Sequence, residues 1–103
     1  MITVLFYLTG KPDAQQPLQS LLKEMTEESR AHEGCVTYRF HQQHDDPHRW
    51  MLLEQWRDKT ALLDHVERMK RRFGDPPPGA TVPAQLHAVS EASHYVFYRD
   101  ALM

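Results

Sequence analysis

The segment Arg49–Trp56, RWMLLEQW, constrains the fold more than any other stretch of the chain. Its aromatic and apolar content is typical of a β-strand, in which successive side chains point to opposite faces. One face therefore carries Trp50, Leu52, Glu54 and Trp56. A carboxyl group between two indoles on an otherwise apolar face must find a partner, stay in contact with water, or keep its proton. We expect this face to line a small-molecule pocket.

The remaining hydrophobic patterns predict the element order βαββαβ. The predicted strands are Ile2–Thr9, Cys35–Gln43, Arg49–Trp56 and His94–Arg99. We expect Asp13 to cap the first helix and Gly34 to stop it, and Asp58 to cap the second. The apolar stripe of the second helix is predicted to contain Leu62, Val66, Met69 and Phe73.

Two features lie between the second helix and the last strand. The segment GDPPPG, residues 74–79, contains three successive prolines and cannot form a regular helix. Thr81 is predicted to begin a short helical piece that runs to about Ser90.

This order predicts an α+β fold of the ferredoxin-like kind, a four-stranded antiparallel sheet with the helices on one face. The predicted strands carry apolar side chains on both faces, for example Phe6 against Tyr7 and Trp50 against Met51. The chain has no further element to cover the second face. We therefore expect a two-fold homodimer.

Length and charge narrow the class of protein. At 103 residues we expect one domain, residues 1–103. A net charge of −2 predicts no nucleic-acid or membrane partner. The apolar N-terminal run is too short to span a bilayer and lacks the pattern of a signal peptide, so we expect a cytoplasmic protein. Cys35 is the only cysteine, which excludes a disulfide within one chain, and we expect an inert thiol.

Several ordered motifs resemble one known family. They are GCVTYRF from Gly34, DDPHRWMLLEQW from Asp45, and a histidine on the helix that follows. The set is similar to the antibiotic biosynthesis monooxygenase domain, and the matching positions are Gly34, Tyr38, Glu54, Trp56 and His65. The resemblance covers nearly the whole chain.

The resemblance implies a dimeric α/β barrel with a pocket between the sheet and the helices of each subunit. Some members oxygenate quinols or anthrones without flavin, haem or metal, because the deprotonated substrate itself gives an electron to O2. Others isomerise phosphorylated signal molecules, degrade haem, or have no known activity. This chain departs from the anthrone oxygenases at Leu52 and Leu62, where they carry asparagine and tyrosine. It has no histidine between Val66 and Leu86 that could bind haem.

His65 and Glu54 are the candidate catalytic residues. His65 shares the apolar stripe of its helix, which is typical of a core histidine, but imidazole also suits proton transfer near neutral pH. Glu54 is either a buried base or the partner of an arginine, Arg39 or Arg99, and buried charges are most often paired.

The candidate substrate-binding residues are Trp56, Trp50, Tyr38, Leu52 and Leu62. Trp56 and His65 are predicted to face the same hollow, with core packing as the competing interpretation for each. The hairpin between His41 and His48 is rich in His and Asp, but its spacing fixes no geometry, so we expect no functional metal.

Two functions remain open. One is a cofactor-independent monooxygenase that oxidises a small electron-rich aromatic molecule with O2. The other is a non-catalytic dimeric protein that binds a small molecule or takes part in a stress response.

Overall fold

The structure is a computed structural model that describes residues 1–102. Its elements are β1 (Ile2–Gly10), a 3-10 turn (Pro12–Ala14), α1 (Gln15–Arg30), β2 (Cys35–Gln43), β3 (Asp46–Trp56), α2 (Lys59–Phe73), α3 (Ala84–Ala88) and β4 (Ser90–Arg99). The predicted order βαββαβ, with a small helical insert before the last strand, is confirmed.

The four strands form one antiparallel sheet in the order β2-β3-β1-β4. The helices cover one face, so the predicted ferredoxin-like class is confirmed. Within residues 1–102, none of the helices combines the length and apolar character that crossing a bilayer requires. The core joins strand residues Phe6, Leu8, Leu52 and Trp56 to helix residues Leu18, Leu22, Met69, Phe73 and Leu86.

The helix boundaries differ from the sequence prediction. Asp13 lies inside the 3-10 turn, so Ala14 takes the N-cap position of α1 and no side chain caps it. α1 ends at Arg30, before Gly34. α3 follows Pro83, whose extended backbone precedes the first helical residue, and not Thr81. Asp58 does cap α2, because its carboxylate accepts the backbone N–H of Ala61 at 2.9 Å.

A β-bulge near the start of β2 changes which side chains face the helices. Cys35 pairs with Trp56 and Thr37 pairs with Gln55, so Val36 is an extra residue. Regular strand alternation would place Val36 on the face of Tyr38, but Val36 is exposed, and Cys35 packs against the core.

The buried stripe of α2 confirms the prediction at Met69 and Phe73 and differs from it in the first half of the helix. Its buried residues are Ala61, His65, Met69 and Phe73. Leu62 is only partly buried and Val66 is exposed. The small Ala61 faces the sheet at the point where α2 approaches Gly34. A Cβ placed on Gly34 would lie 2.5 Å from the Cβ of Ala61.

The opposite face of the sheet has no helix over it within residues 1–102. The strand registers place Leu5, Leu53 and Val96 side by side there, in the middle of the face, and all three are partly exposed. Tyr98 lies on the same face and is exposed. An apolar surface of this kind is typical of a face that packs against another molecule.

We predict that Gly34→Ala destabilises the fold more than Gly79→Ala. Both glycines have positive φ, 83° and 81°, which costs an ordinary residue about 1–2 kcal/mol. Only Gly34 also meets a neighbour, Ala61, and overpacking adds about 1–3 kcal/mol. Urea unfolding of both variants measures the difference. Equal losses in free energy of unfolding would contradict the proposed close contact of α2.

Candidate active site

A cavity of about 300 Å³ lies between the helix-covered face of the sheet and α2. This volume is at the lower end of those found for ligand pockets. Leu52, Leu62 and Met69 are among its apolar walls. Its aromatic walls are Phe6, Tyr38, Phe40, Tyr95 and Phe97. The segment after α2 contributes Pro76, Thr81 and Pro83. The volume and the lining of the cavity therefore suit a small, mostly apolar molecule.

Glu54 supplies a carboxyl group to the wall of this cavity. Strand alternation in β3 places it beside Trp56, whose indole Nε1–H donates a hydrogen bond of 2.7 Å to Oε1 of Glu54. Burial raises the pKa of Glu54 to about 7, although the hydrogen bond from Trp56 opposes the rise. Near neutral pH this carboxyl group therefore exists in both its protonated and its ionised form.

The prediction that Glu54 pairs with an arginine is wrong. Arg39 pairs with Leu53 in the sheet register, so it lies on the opposite face. Arg99 is exposed at the end of β4. Within residues 1–102, the basic side chain that lies beside Glu54 is His65, whose imidazole Nε2 is 3.8 Å from Oε1 of Glu54.

His65 joins the carboxyl group from the buried stripe of α2. Its ring lies against the indole of Trp56, with ring centres 4.3 Å apart and planes tilted by 32°. Burial lowers the pKa of His65 to about 3, and the neighbouring charge of His32 contributes to the decrease. The ring is therefore neutral at physiological pH and offers a lone pair on one of its nitrogens.

The structure brings five of the predicted site residues to the cavity and leaves two outside its lining. Glu54, His65, Tyr38, Leu52 and Leu62 line it.

Neither tryptophan forms the expected aromatic wall. Trp56 has no exposed surface and touches His65 directly, so no ligand fits between the two rings. Trp56 instead lies outside the cavity lining, where it donates a hydrogen bond to Glu54 and packs against His65, and these contacts hold both residues in position. Trp50 lies six residues along β3 from Trp56, about 20 Å away. It borders shallower hollows at that end of the sheet.

Sequence reasoning missed the walls that β4 contributes and also missed His32. Tyr95 and Phe97 pair with Phe6 and Val4 of β1, so the alternation of the two strands could have placed them. His32 lies in the turn after α1, seven residues beyond the buried Met25. Its Nδ1 lies 2.9 Å from Nδ1 of His65, and its Nε2 lies 3.3 Å from Oε1 of Glu28.

The tyrosines of the cavity remain protonated over the physiological range. Burial raises the pKa of Tyr38 well above its ordinary value, and the charge of Glu54 raises it further. Burial and Glu54 also raise the pKa of Tyr95. Each hydroxyl is therefore a hydrogen-bond donor and not a base.

The histidine-rich hairpin contributes nothing to this cavity. His44 and Asp45 form the turn itself, and Nδ1 of His48 lies 3.0 Å from the side-chain amide of Gln15. Within residues 1–102, no group of three or more His, Cys, Asp or Glu side chains is placed to hold a metal ion.

This sheet with its helix-lined cavity, and the carboxyl and imidazole groups in its wall, define a small α+β protein of the ferredoxin-like class with one candidate site for a small molecule. Residues 1–71 match the family model described as antibiotic biosynthesis monooxygenase. The chain belongs to that family. The match covers the positions of the carboxyl–imidazole pair, Glu54 and His65.

Comparisons with individual proteins agree with this assignment. A conserved protein from Methanosarcina mazei has a similar crystal structure, with a TM-score of 0.80 and 26% identity over 97% of this chain and 92% of that one. The Bacillus subtilis protein YcnE, a proposed monooxygenase, is 28% identical over 67 residues, 65% of this chain and 70% of its own length.

An uncharacterised Synechocystis protein is 30% identical over 57 residues, 55% of this chain. The matched part spans only 39% of that relative's length.

We predict that Glu54→Gln gains stability over the wild type as pH rises. The pKa of Glu54 is about 7 in the folded protein and 4.5 in the unfolded chain. The free energy of unfolding of the wild type therefore falls by about 3 kcal/mol between pH 4.5 and pH 7. Glutamine carries no such proton and keeps an acceptor for Trp56. His65 is present in both proteins, so its own titration cancels in the comparison.

Urea unfolding of both proteins from pH 4 to pH 8 measures this difference. An exposed residue of α1 provides the control, Glu24→Gln, which should track the wild type. A stability difference between Glu54→Gln and the wild type that does not vary with pH would show that Glu54 ionises normally in the fold.

Proposed function

We propose that this protein is a cofactor-independent monooxygenase that oxidises a small electron-rich aromatic molecule, quinol-like or anthrone-like, with O2. The observation that carries the proposal is the pair Glu54 and His65 in the wall of an otherwise apolar and aromatic cavity. Membership of the monooxygenase family supports it. Phenolic substrates of this type must lose a proton before they react with O2.

Glu54 is the better proton acceptor of the two in this proposal. A phenol has a pKa near 10, and a base with a pKa near the working pH combines availability with driving force. The pKa of Glu54 is raised to about 7, whereas that of His65 is lowered to about 3. The substrate hydroxyl gives its proton to Glu54, and the resulting anion gives an electron to O2.

The apolar walls serve the second half of this chemistry. Leu52 and Leu62 keep water from the ring, and a dry site strengthens the interactions of the anion with nearby donors. The hydroxyls of Tyr38 and Tyr95, which stay protonated, are donors within the lining, which also contains Thr81 and Lys70. The aromatic rings hold a planar substrate against the sheet.

A second candidate is a dimeric protein that binds a small molecule without reaction. The apolar character of Leu52 and Leu62 favours it, since the related anthrone oxygenases carry polar side chains at these positions. A ligand of this protein would raise the thermal midpoint and be recovered unchanged.

The test is O2 uptake in metal-free buffer with a series of hydroquinones and naphthols. We expect the wild type to consume O2 with at least one of them, and Glu54→Gln to lose at least about 100-fold in kcat, the contribution typical of a positioned base. His44→Ala, in the exposed hairpin turn, is the matched control and should keep the activity. Uptake no faster than that of a Glu54→Gln, His65→Ala double variant would refute an oxygenase and leave the binding protein.

We further propose that two copies associate through the open face of the sheet. Leu53 lies in the middle of this face, so Leu53→Lys should produce a monomer. Leu63→Lys makes the same change on the exposed side of α2 and should leave a dimer. Sedimentation equilibrium distinguishes a mass of 12.1 kDa from about twice that value. A wild-type monomer would contradict the proposed association.

A further inference from the structure

His32 is a buried imidazole that the chemistry above does not use. It follows α1, and only 6% of its surface is exposed. Two backbone hydrogen bonds hold its turn, from its own N–H to the carbonyl of Ser29 at 3.0 Å and from the N–H of Cys35 to its carbonyl at 3.2 Å. The ring is therefore fixed between two partners, Glu28 on one side and His65 on the other.

The separation of the two imidazoles restricts where their protons lie. With Nδ1 of His32 and Nδ1 of His65 only 2.9 Å apart, one nitrogen donates and the other accepts. The carboxylate of Glu28 can only accept, so Nε2 of His32 carries a proton. Neutral His32 then accepts at Nδ1, and His65 donates from Nδ1. This arrangement leaves the lone pair of His65 on Nε2, the nitrogen closest to Glu54.

We propose that Glu54, His65, His32 and Glu28 form a relay that carries the substrate's proton from the cavity to the protein surface, with His32 as a positioning residue that sets the tautomer of His65. The inference rests on the proposed oxygenase function. It extends that function with two residues, His32 and Glu28, that do not line the cavity.

Each transfer along the relay breaks one bond to hydrogen and forms another. Protonated Glu54 gives its proton to Nε2 of His65, while the Nδ1–H bond of His65 breaks and an Nδ1–H bond forms on His32. The 3.8 Å gap between Glu54 and His65 closes to hydrogen-bond length with a movement of about 1 Å. Glu54 is again a carboxylate, His65 is neutral in its other tautomer, and the positive charge is on His32. The Nε2–H bond of His32 then breaks as its proton passes to the carboxylate of Glu28 and from there to water.

The relay places the charge where the protein can tolerate it. A positive charge on His65 would be buried beside the indole of Trp56 and within reach of His32. On His32 the charge lies next to the carboxylate of Glu28, whose side chain is 40% exposed to solvent. Of the titratable groups around His32, Glu28 belongs to α1, His65 to α2, and Glu54 of β3 lies beyond His65. Glu28 thus connects the buried imidazoles to water.

Glu28→Gln tests the relay without disturbing the core, because this side chain is at the surface. Nitrogen-15 NMR of the histidine rings reports directly which nitrogen carries each proton. In the wild type at neutral pH we expect His65 protonated at Nδ1 and His32 at Nε2. In Glu28→Gln an amide can donate or accept, so we expect His65 to become a mixture of both tautomers. Glu24→Gln, on the same helix, should give the wild-type spectrum.

Steady-state kinetics provide a second measurement, for which the relay and a purely structural role of Glu28 predict different results. With an active quinol, we expect Glu28→Gln to lower kcat about tenfold and to leave KM unchanged, since Glu28 does not line the cavity. A wild-type His65 protonated at Nε2, or a Glu28→Gln spectrum equal to the wild type, would overturn the relay. If no aromatic substrate is oxidised, the oxygenase proposal fails, and the tautomer of His65 still decides whether the relay exists.

Discussion

The hydrogen bond between the indole of Trp56 and the carboxyl group of Glu54 is the interaction on which the rest of the site depends. Both residues lie on the helix-covered face of β3, where a carboxyl group would otherwise be without a partner at a cost of several kcal/mol. The indole gives it one donor and no charge. The hydrogen bond gives the buried Glu54 a partner, and burial raises the pKa of Glu54 despite it, whereas an arginine partner would have lowered the pKa through its charge.

The same indole also positions the second polar group. His65 packs against Trp56, so the position of α2 over the sheet decides how near the imidazole comes to the carboxyl group. That position in turn depends on the contact between Gly34 and Ala61, where only a hydrogen on Gly34 leaves room. A glycine in one loop and a small residue in the first turn of α2 thus control the geometry of a site several residues further along the helix.

Sequence alone predicted the architecture because its signals are local. Alternation in β1 and β3 and helical spacing in α1 and α2 each follow from adjacent residues. Two of the errors occurred where a long-range contact overrides the local pattern. The bulge at Val36 depends on how β2 pairs with β3, and the burial of Ala61 in place of Leu62 depends on the close approach of α2 to Gly34. Neither pairing can be read from one segment.

The site was predictable as a set of residues but not as an arrangement. The face containing Glu54 and Trp56 was identified correctly, yet an indole beside a carboxyl group can be a wall or a support, and only the packing of His65 shows that it is a support. His32 lacked any motif and became visible only through its distance to His65.

Burial of Glu54 and His65 lowers the stability of the fold, and the same burial gives the two groups the protonation states that the proposed chemistry needs. Burial lowers the pKa of His65, so its ring is neutral at physiological pH, and raises that of Glu54 to about 7, so part of the carboxyl groups keep their proton and part are ionised. Neutral His65 and protonated Glu54 do not attract water strongly, whereas the ionised form of Glu54 is the one that can accept a proton from the substrate. Once the substrate supplies a proton, the charges that form need a route to solvent. The imidazole of His32 and the exposed carboxylate of Glu28 lie in contact on the side away from the cavity, where they provide that route.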